Sequence, residues 1–150
     1  MLLLIFVALF CFSSIADGVP ILDCGSKLGS YSRVQIAGCD TSDQPCVLHK
    51  GKNASIEIDF TTYEDATDLK AVVHGTVMIV PIPFDLPNAD ACQYSKSGIT
   101  CPMRKGQSYK YKAELPVSTR YPSVSVKVKW ELQDQDGNDI VCIKLPAVIR

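Results

Sequence analysis

The sequence predicts an all-β protein, an antiparallel β-sandwich. Three observations carry that expectation. Apolar and polar residues alternate one by one through several stretches, the period-two signature of a strand with one buried face. Turn-forming residues separate those stretches. No run of eleven residues sustains a helical period. Seven or so strands with frequent turns and no helix call for two packed sheets.

The elements follow in chain order. Val34 and Ile36 mark a short early strand. Ile56, Ile58 and Phe60 alternate with Glu57 and Asp59. Ala71 to Val80 is an apolar, β-branched run and reads as one strand. Pro81, Pro83 and Pro87 stop or edge it, because proline cannot donate to a ladder. Tyr109, Tyr111, Ala113 and Leu115 alternate with Lys110, Lys112 and Glu114. Val124, Val126, Val128, Trp130 and Leu132 share one face, with Ser125, Lys127, Lys129 and Glu131 on the other. Asp136-Gly137-Asn138 is a hairpin signal leading into the apolar run Ile140 to Ile149.

A chain of 150 residues fits one domain. Its net charge is -1, so it lacks the basic stripe a nucleic-acid binder needs. With 47% hydrophobic residues it is no disordered acidic chain either. No internal repeat, low-complexity linker or second domain shows in the sequence. Met1 to Ala16 carries no charged residue, and Leu2 to Phe12 is unbroken apolar. That run is too short for a membrane span, which needs ~20 residues. Small residues at Ser14 and Ala16 suit signal peptidase, so residues 1–16 read as a signal peptide, with a cut after Gly18 as the alternative. Residues 17–150 are then the mature domain, and the expected destination is secretory.

Cys11, one of seven cysteines, leaves with that segment. Cys24, Cys39, Cys46, Cys92, Cys101 and Cys142 remain, an even number that reads as a disulfide framework. Six cysteines admit about 15 pairings, and sequence does not choose among them. Spacing favours two clipped loops, Cys39 to Cys46 and Cys92 to Cys101, leaving Cys24 and Cys142 to tie the ends. No C-x-x-C occurs and the two histidines are far apart, which argues against zinc.

Catalytic patterns are sparse. His49 and His74 are the residues able to act as bases near neutral pH, and His74 sits inside an apolar strand. Gly25-Ser26-Lys27-Leu28-Gly29 has the wrong spacing for a nucleophile elbow. Asp134, Asp136 and Asp139 start like a calcium loop, but Gly137 comes too early and no closing glutamate follows. An enzyme is not expected. Apolar, proline-stiffened stretches stand out instead: Val80-Pro81-Ile82-Pro83-Phe84, Leu115-Pro116-Val117 and Tyr121-Pro122. Beside a sandwich interior they frame a pocket for a lipid, or they cap the core.

These residues carry a resemblance. Asp23-Cys24-Gly25-Ser26, Ala71-Val72-Val73-His74-Gly75, Val80-Pro81-Ile82-Pro83-Phe84 and Gly98-Ile99-Thr100-Cys101-Pro102 take part. So do Leu115-Pro116-Val117, Tyr121-Pro122-Ser123 and Trp130-Glu131-Leu132-Gln133-Asp134. The chain from about Asp23 to Ile149 resembles the Niemann–Pick type C2 sterol-transfer proteins of the ML (lipid-recognition) family, in particular the insect branch. The resemblance implies an immunoglobulin-like sandwich with an apolar cavity between its sheets. It implies intracellular cholesterol transport, in the lysosomal lumen or outside cells, by a monomer without cofactor or metal. It implies the bridges Cys24–Cys142, Cys39–Cys46 and Cys92–Cys101. Phe84, Val117 and Tyr121 match the pocket entrance, with Pro116 beside them, and Trp130 and Val128 match interior walls. Phe84→Ala, or a bulky charge at Val117, is then expected to reduce sterol transfer while the fold survives. His74, Gly75 and the residues after them match the surface that docks to membranes or to a sterol-accepting membrane protein.

Thr76 and Ile79 depart from the mammalian pattern in that docking segment. A mammalian glycosylation site falls at Glu57 and is absent, whereas Asn53-Ala54-Ser55 offers another sequon. Two other readings compete: a binder of bacterial lipids, fatty acids or semiochemicals in immunity or chemosensation, and an adhesive module with a filled core. Lys105, Lys110 and Lys112 could form a cationic rim for a phosphorylated lipid, though their alternation with tyrosines fits a solvated strand face better.

Overall fold

The computed structural model describes residues 20–39 and 45–150. The expected signal segment and Cys11 lie outside them. Among the described residues there are nine strands: β1 (Leu22–Asp23), β2 (Gly29–Ile36), β3 (Cys46–Leu48), β4 (Asn53–Thr62), β5 (Lys70–Val77), β6 (Val80–Pro83), β7 (Ser108–Pro116), β8 (Ser125–Gln133) and β9 (Asp139–Ile149). One sheet has the order β1-β9-β8-β5-β6, with β3 also pairing β9. The other has the order β2-β4-β7. No helix occurs among the described residues.

The alternation decides which side chains enter the space between the sheets. Along β8, Val126, Val128, Trp130 and Leu132 are buried. Opposite them, β4 contributes Ile56, Ile58 and Phe60, and β7 contributes Tyr111, Ala113 and Leu115. The sandwich is close-packed at one end around Phe60, Leu69, Met103, Leu132 and Ile140. Gly29 lets the sheets approach there: an added Cβ would lie 2.8 Å from the Ile140 side chain and 2.5 Å from the Thr61 carbonyl oxygen.

Three features depart from the sequence-based expectation. The stretch Ala71 to Val80 is no single strand but a hairpin, β5 turning into β6. Met78 makes the turn with φ of 58°, a left-handed conformation uncommon for a bulky residue. Pro81 and Pro83 lie within β6 itself, at the edge of the sheet. β3 runs parallel to β9 (Cys46 beside Ala147), the one parallel pair among the described strands. The aspartate-rich turn after β8 is a hairpin, as expected: the Asp134 carboxylate accepts the N–H groups of Asp136 and Asn138, both at 2.9 Å.

Disulfides join Cys24 to Cys142, Cys39 to Cys46 and Cys92 to Cys101. The first links β1 to β9 across 118 residues. On the loop-closure account such a bridge stabilises by roughly 4–5 kcal/mol, mostly by restricting the unfolded chain.

Candidate binding cavity

One end of the sandwich collects the β5–β6 hairpin, the β3–β4 loop, the β7–β8 loop and the end of β9. Register places them together: Thr76 pairs with Lys127, Ser125 with Val148, Leu48 with Ile149, and Asn53 with Pro116. Phe84 follows β6, and its N–H donates to the Val73 carbonyl at 2.9 Å. Its ring lies over Gly75, where an added Cβ would stand 2.6 Å from the ring carbon Cε2. Glycine is therefore what admits the ring. Tyr121 meets Phe84 edge to face, with ring centres 5.4 Å apart and planes at 82°.

Behind this aromatic pair lies an apolar cavity of about 40 Å³, bounded by Gly75, Phe84, Tyr121, Val124, Val126 and Ile149 among others. A second, of about 30 Å³, follows deeper, bounded by Leu48, Ile56, Leu115, Val128, Trp130 and Leu145 among others. Val126 borders the first and Val128 the second, two residues on along the inward face of β8. They are successive spaces in one interlayer. Each is far smaller than a typical ligand pocket of ~300–1,000 Å³. A lipid filling these two spaces needs their walls to move apart.

Tyr111 and Trp130 cross the interlayer below, rings 6.3 Å apart at 62°. Among the described residues, the buried Tyr111 hydroxyl and Trp130 Nε1 have no hydrogen-bond partner. Burial pushes the Tyr111 hydroxyl well above the usual phenol range, so it stays neutral.

The expected site residues divide. Phe84 and Tyr121 border the outer space, and Trp130 and Val128 the inner one. Val117 borders neither; it is 2% exposed, held by hydrogen bonds to Gly51 and Lys52 of the β3–β4 loop. A charge there would be buried. Pro116 is exposed at the end of β7. Ile36, Leu48, Val124, Leu145 and Ile149 line the spaces without having been singled out. For Val124 the signal was there, since it shares the Val126–Trp130 face of β8.

Outside the cavity, the hairpin tip is bare: Met78 and Ile79 are 93% and 90% exposed, with Val80 and Ile82 exposed beside them. His74 is half-buried, while Gly75 is buried under Phe84. The surface that follows these two residues is thus apolar and projects from the cavity end. Lys110 and Lys112 lie on the outer face of the smaller sheet, 3.9 Å from Asp59 and 3.6 Å from Glu57. They form a solvated ladder and not a rim, and Lys105 precedes β7 at the far end. Asn53 is exposed, its amide donating to Glu114 at 3.3 Å.

A family model described as the ML domain matches residues 18–149. The chain belongs to the Niemann–Pick type C2 branch of the ML-domain family. It is 51% identical over 135 residues to the NPC intracellular cholesterol transporter 2 homolog a of Drosophila melanogaster, covering 90% of each chain. It is 44% identical to NPC intracellular cholesterol transporter 2 of Danio rerio, covering 98% of this ML-domain chain and 93% of the relative. In solved structures, it is similar to a Niemann–Pick type C2 protein from the Japanese carpenter ant. That likeness has a TM-score of 0.82 and 30% identity, and covers 87% of this chain and 99% of the other. The ML-domain sandwich expected from the motifs is the observed fold.

Proposed function

We propose that this protein carries a sterol between its two sheets and delivers it to a membrane or to a membrane acceptor. The observation that carries the reading is the series of two apolar spaces behind the Phe84–Tyr121 pair, in a chain whose relatives are named cholesterol transporters. The sterol enters apolar tail first, past Phe84 and Tyr121, toward Val128 and Trp130, leaving its hydroxyl at the mouth. Val117 and Pro116 act by shaping the loop that carries Tyr121. Binding needs no covalent step. Removing apolar surface from water supplies ~25 cal/mol per Å², and part of that gain moves the walls of the two spaces apart.

Delivery follows from the position of the bare hairpin tip. Met78, Ile79, Val80 and Ile82 project beside the cavity mouth, so their contact with a bilayer turns the mouth toward it. Residues 1–16 act as the cleaved signal and residues 17–150 as the ML domain. The protein works as a monomer in a secretory destination, outside cells or in the lysosomal lumen, where its three disulfides persist. Asn53 carries the glycan, on an exposed strand end.

The test is extraction of the purified secreted protein with mass spectrometry of its cargo, together with binding of a fluorescent sterol. A sterol as major cargo and saturable one-to-one binding are expected. Cargo of another class, with no saturable sterol binding, overturns the reading.

A further inference from the structure

Two carboxylates meet on the outer face of the larger sheet, away from the cavity. Glu131 of β8 stands opposite Cys142 of β9. The register shifts after Leu132, so that Gln133 pairs with Asp139 and Ile140 is passed over. A bulge of this kind re-aims side chains. Here Ile140 is buried at 1% exposure, and Asp139 comes up beside Glu131. Their oxygens approach within 4.8 Å. The Cys142 sulfur is equally near but is bonded to Cys24, so this is no metal site.

The partners are unequal. Lys129 Nζ lies 2.9 Å from Glu131 Oε1, and Gln133 Nε2 donates to Glu131 Oε2 at 2.9 Å. Asp139 receives the same amide at a longer 3.4 Å. Among the described residues no cation pairs with the Asp139 carboxylate. The charged neighbours on the packed elements are Lys144 of β9 and His74 of β5, both opposite Lys129, and Lys70 of β5, opposite Gln133. Lys27 adds a backbone N–H to the Asp139 carbonyl at 3.2 Å. Glu131 is only 8% exposed, so two full charges here are poorly solvated.

We propose that Asp139 and Glu131 share one proton at mildly acidic pH, and that this proton tightens the β8–β9 seam, making the fold more stable in an acidic lumen than at neutral pH. Burial, the hydrogen bond to Glu131 and the Glu131 charge push Asp139 up to about 6. Burial pushes Glu131 up as well, but hydrogen bonds to Lys129, Asp139 and Gln133 and the Lys129 charge hold it below its ordinary value. The signs are opposite. Asp139, held above its unfolded value of 3.8, contributes stability that is full below that value and is lost as pH rises through about 6. Glu131, held below 4.5, contributes stability present above that value and lost only at lower pH. Between those limits the seam gains from the first without losing the second. The two groups titrate as a pair.

Thermal melting of the full secreted protein, free of ligand, at about pH 5 and about pH 7.5 tests this. The wild type is expected to melt higher at the acidic pH by at least ~3 °C. Asp139→Asn keeps an N–H donor toward Glu131 at every pH and should abolish most of that difference. Carbon-13 NMR of the wild-type side-chain carboxyls should show an Asp139 midpoint near 6. An Asp139 midpoint near 3.8, or an undiminished pH difference in Asp139→Asn, overturns the proposal. The wild-type titration decides the matter even if the variant does not fold.

Discussion

Gly75→Ala is a one-carbon test of the mouth. The backbone at Gly75 sits in the middle of β5, paired with Val128 and Ile82, and alanine can adopt it. The cost falls on Phe84. The new Cβ would stand 2.6 Å from Cε2, 3.2 Å from Cζ and 3.6 Å from Cδ2. Ordinary carbon–carbon contact is ~3.5–4.0 Å, so the ring must withdraw by roughly 1 Å. Overpacking of this size costs ~1–3 kcal/mol. The ring is only half-buried, which favours the low end, and its free direction is toward Tyr121 and the mouth. The edge-to-face contact, worth ~0.5–1.5 kcal/mol, is strained or lost. The assay is stopped-flow binding of a fluorescent sterol beside a thermal melt. Slower loading and a melting point lowered by a few degrees are expected, and both effects should vanish when Phe84→Ala is added. Equal losses in the Phe84→Ala background would refute the reasoning, because the clash would then lie elsewhere.

Other outcomes follow from the same geometry. Val117→Glu should unfold the protein or cost more than ~3 kcal/mol, since it buries a charge at a position 2% exposed; a native-like melt would contradict this. Met78→Asp with Ile79→Asp should leave sterol affinity unchanged while slowing transfer to vesicles at least tenfold; equal transfer rates would remove the hairpin from delivery. Replacing Cys24 and Cys142 by serine should cost ~4–5 kcal/mol in denaturant unfolding, and a change below ~1 kcal/mol would show that β1 docks without its bridge.

Strands with one wet and one dry face were legible, because alternation records that asymmetry directly. β4, β7 and β8 are of this kind, and the face read from Val124 to Leu132 is the wall of both apolar spaces. β3 was not legible: three residues hold no period, and its parallel pairing with β9 depends on the bridge to Cys39 and on distant register. The β5–β6 hairpin was hidden because its turn uses Met78 and Ile79 where glycine or asparagine would announce a turn. Among site residues, Phe84, Tyr121, Val128 and Trp130 came from motif resemblance and do border the spaces. Val117 is buried and borders neither space, and an apolar residue beside a mouth and one beneath it look alike in sequence. The width of the interlayer depends on how far two sheets lie apart, which no local pattern encodes.

The prolines of β6 have one more consequence. The Phe84 N–H points back to β5, so by alternation the nitrogens of Pro83 and Pro81 point outward, along the open edge. That edge therefore offers no N–H at either position. A strand arriving from another molecule finds acceptors but not the donors it needs to extend the sheet. The protein can thus hold four bare apolar side chains at its tip without inviting its own copies to polymerise through the strand beneath them.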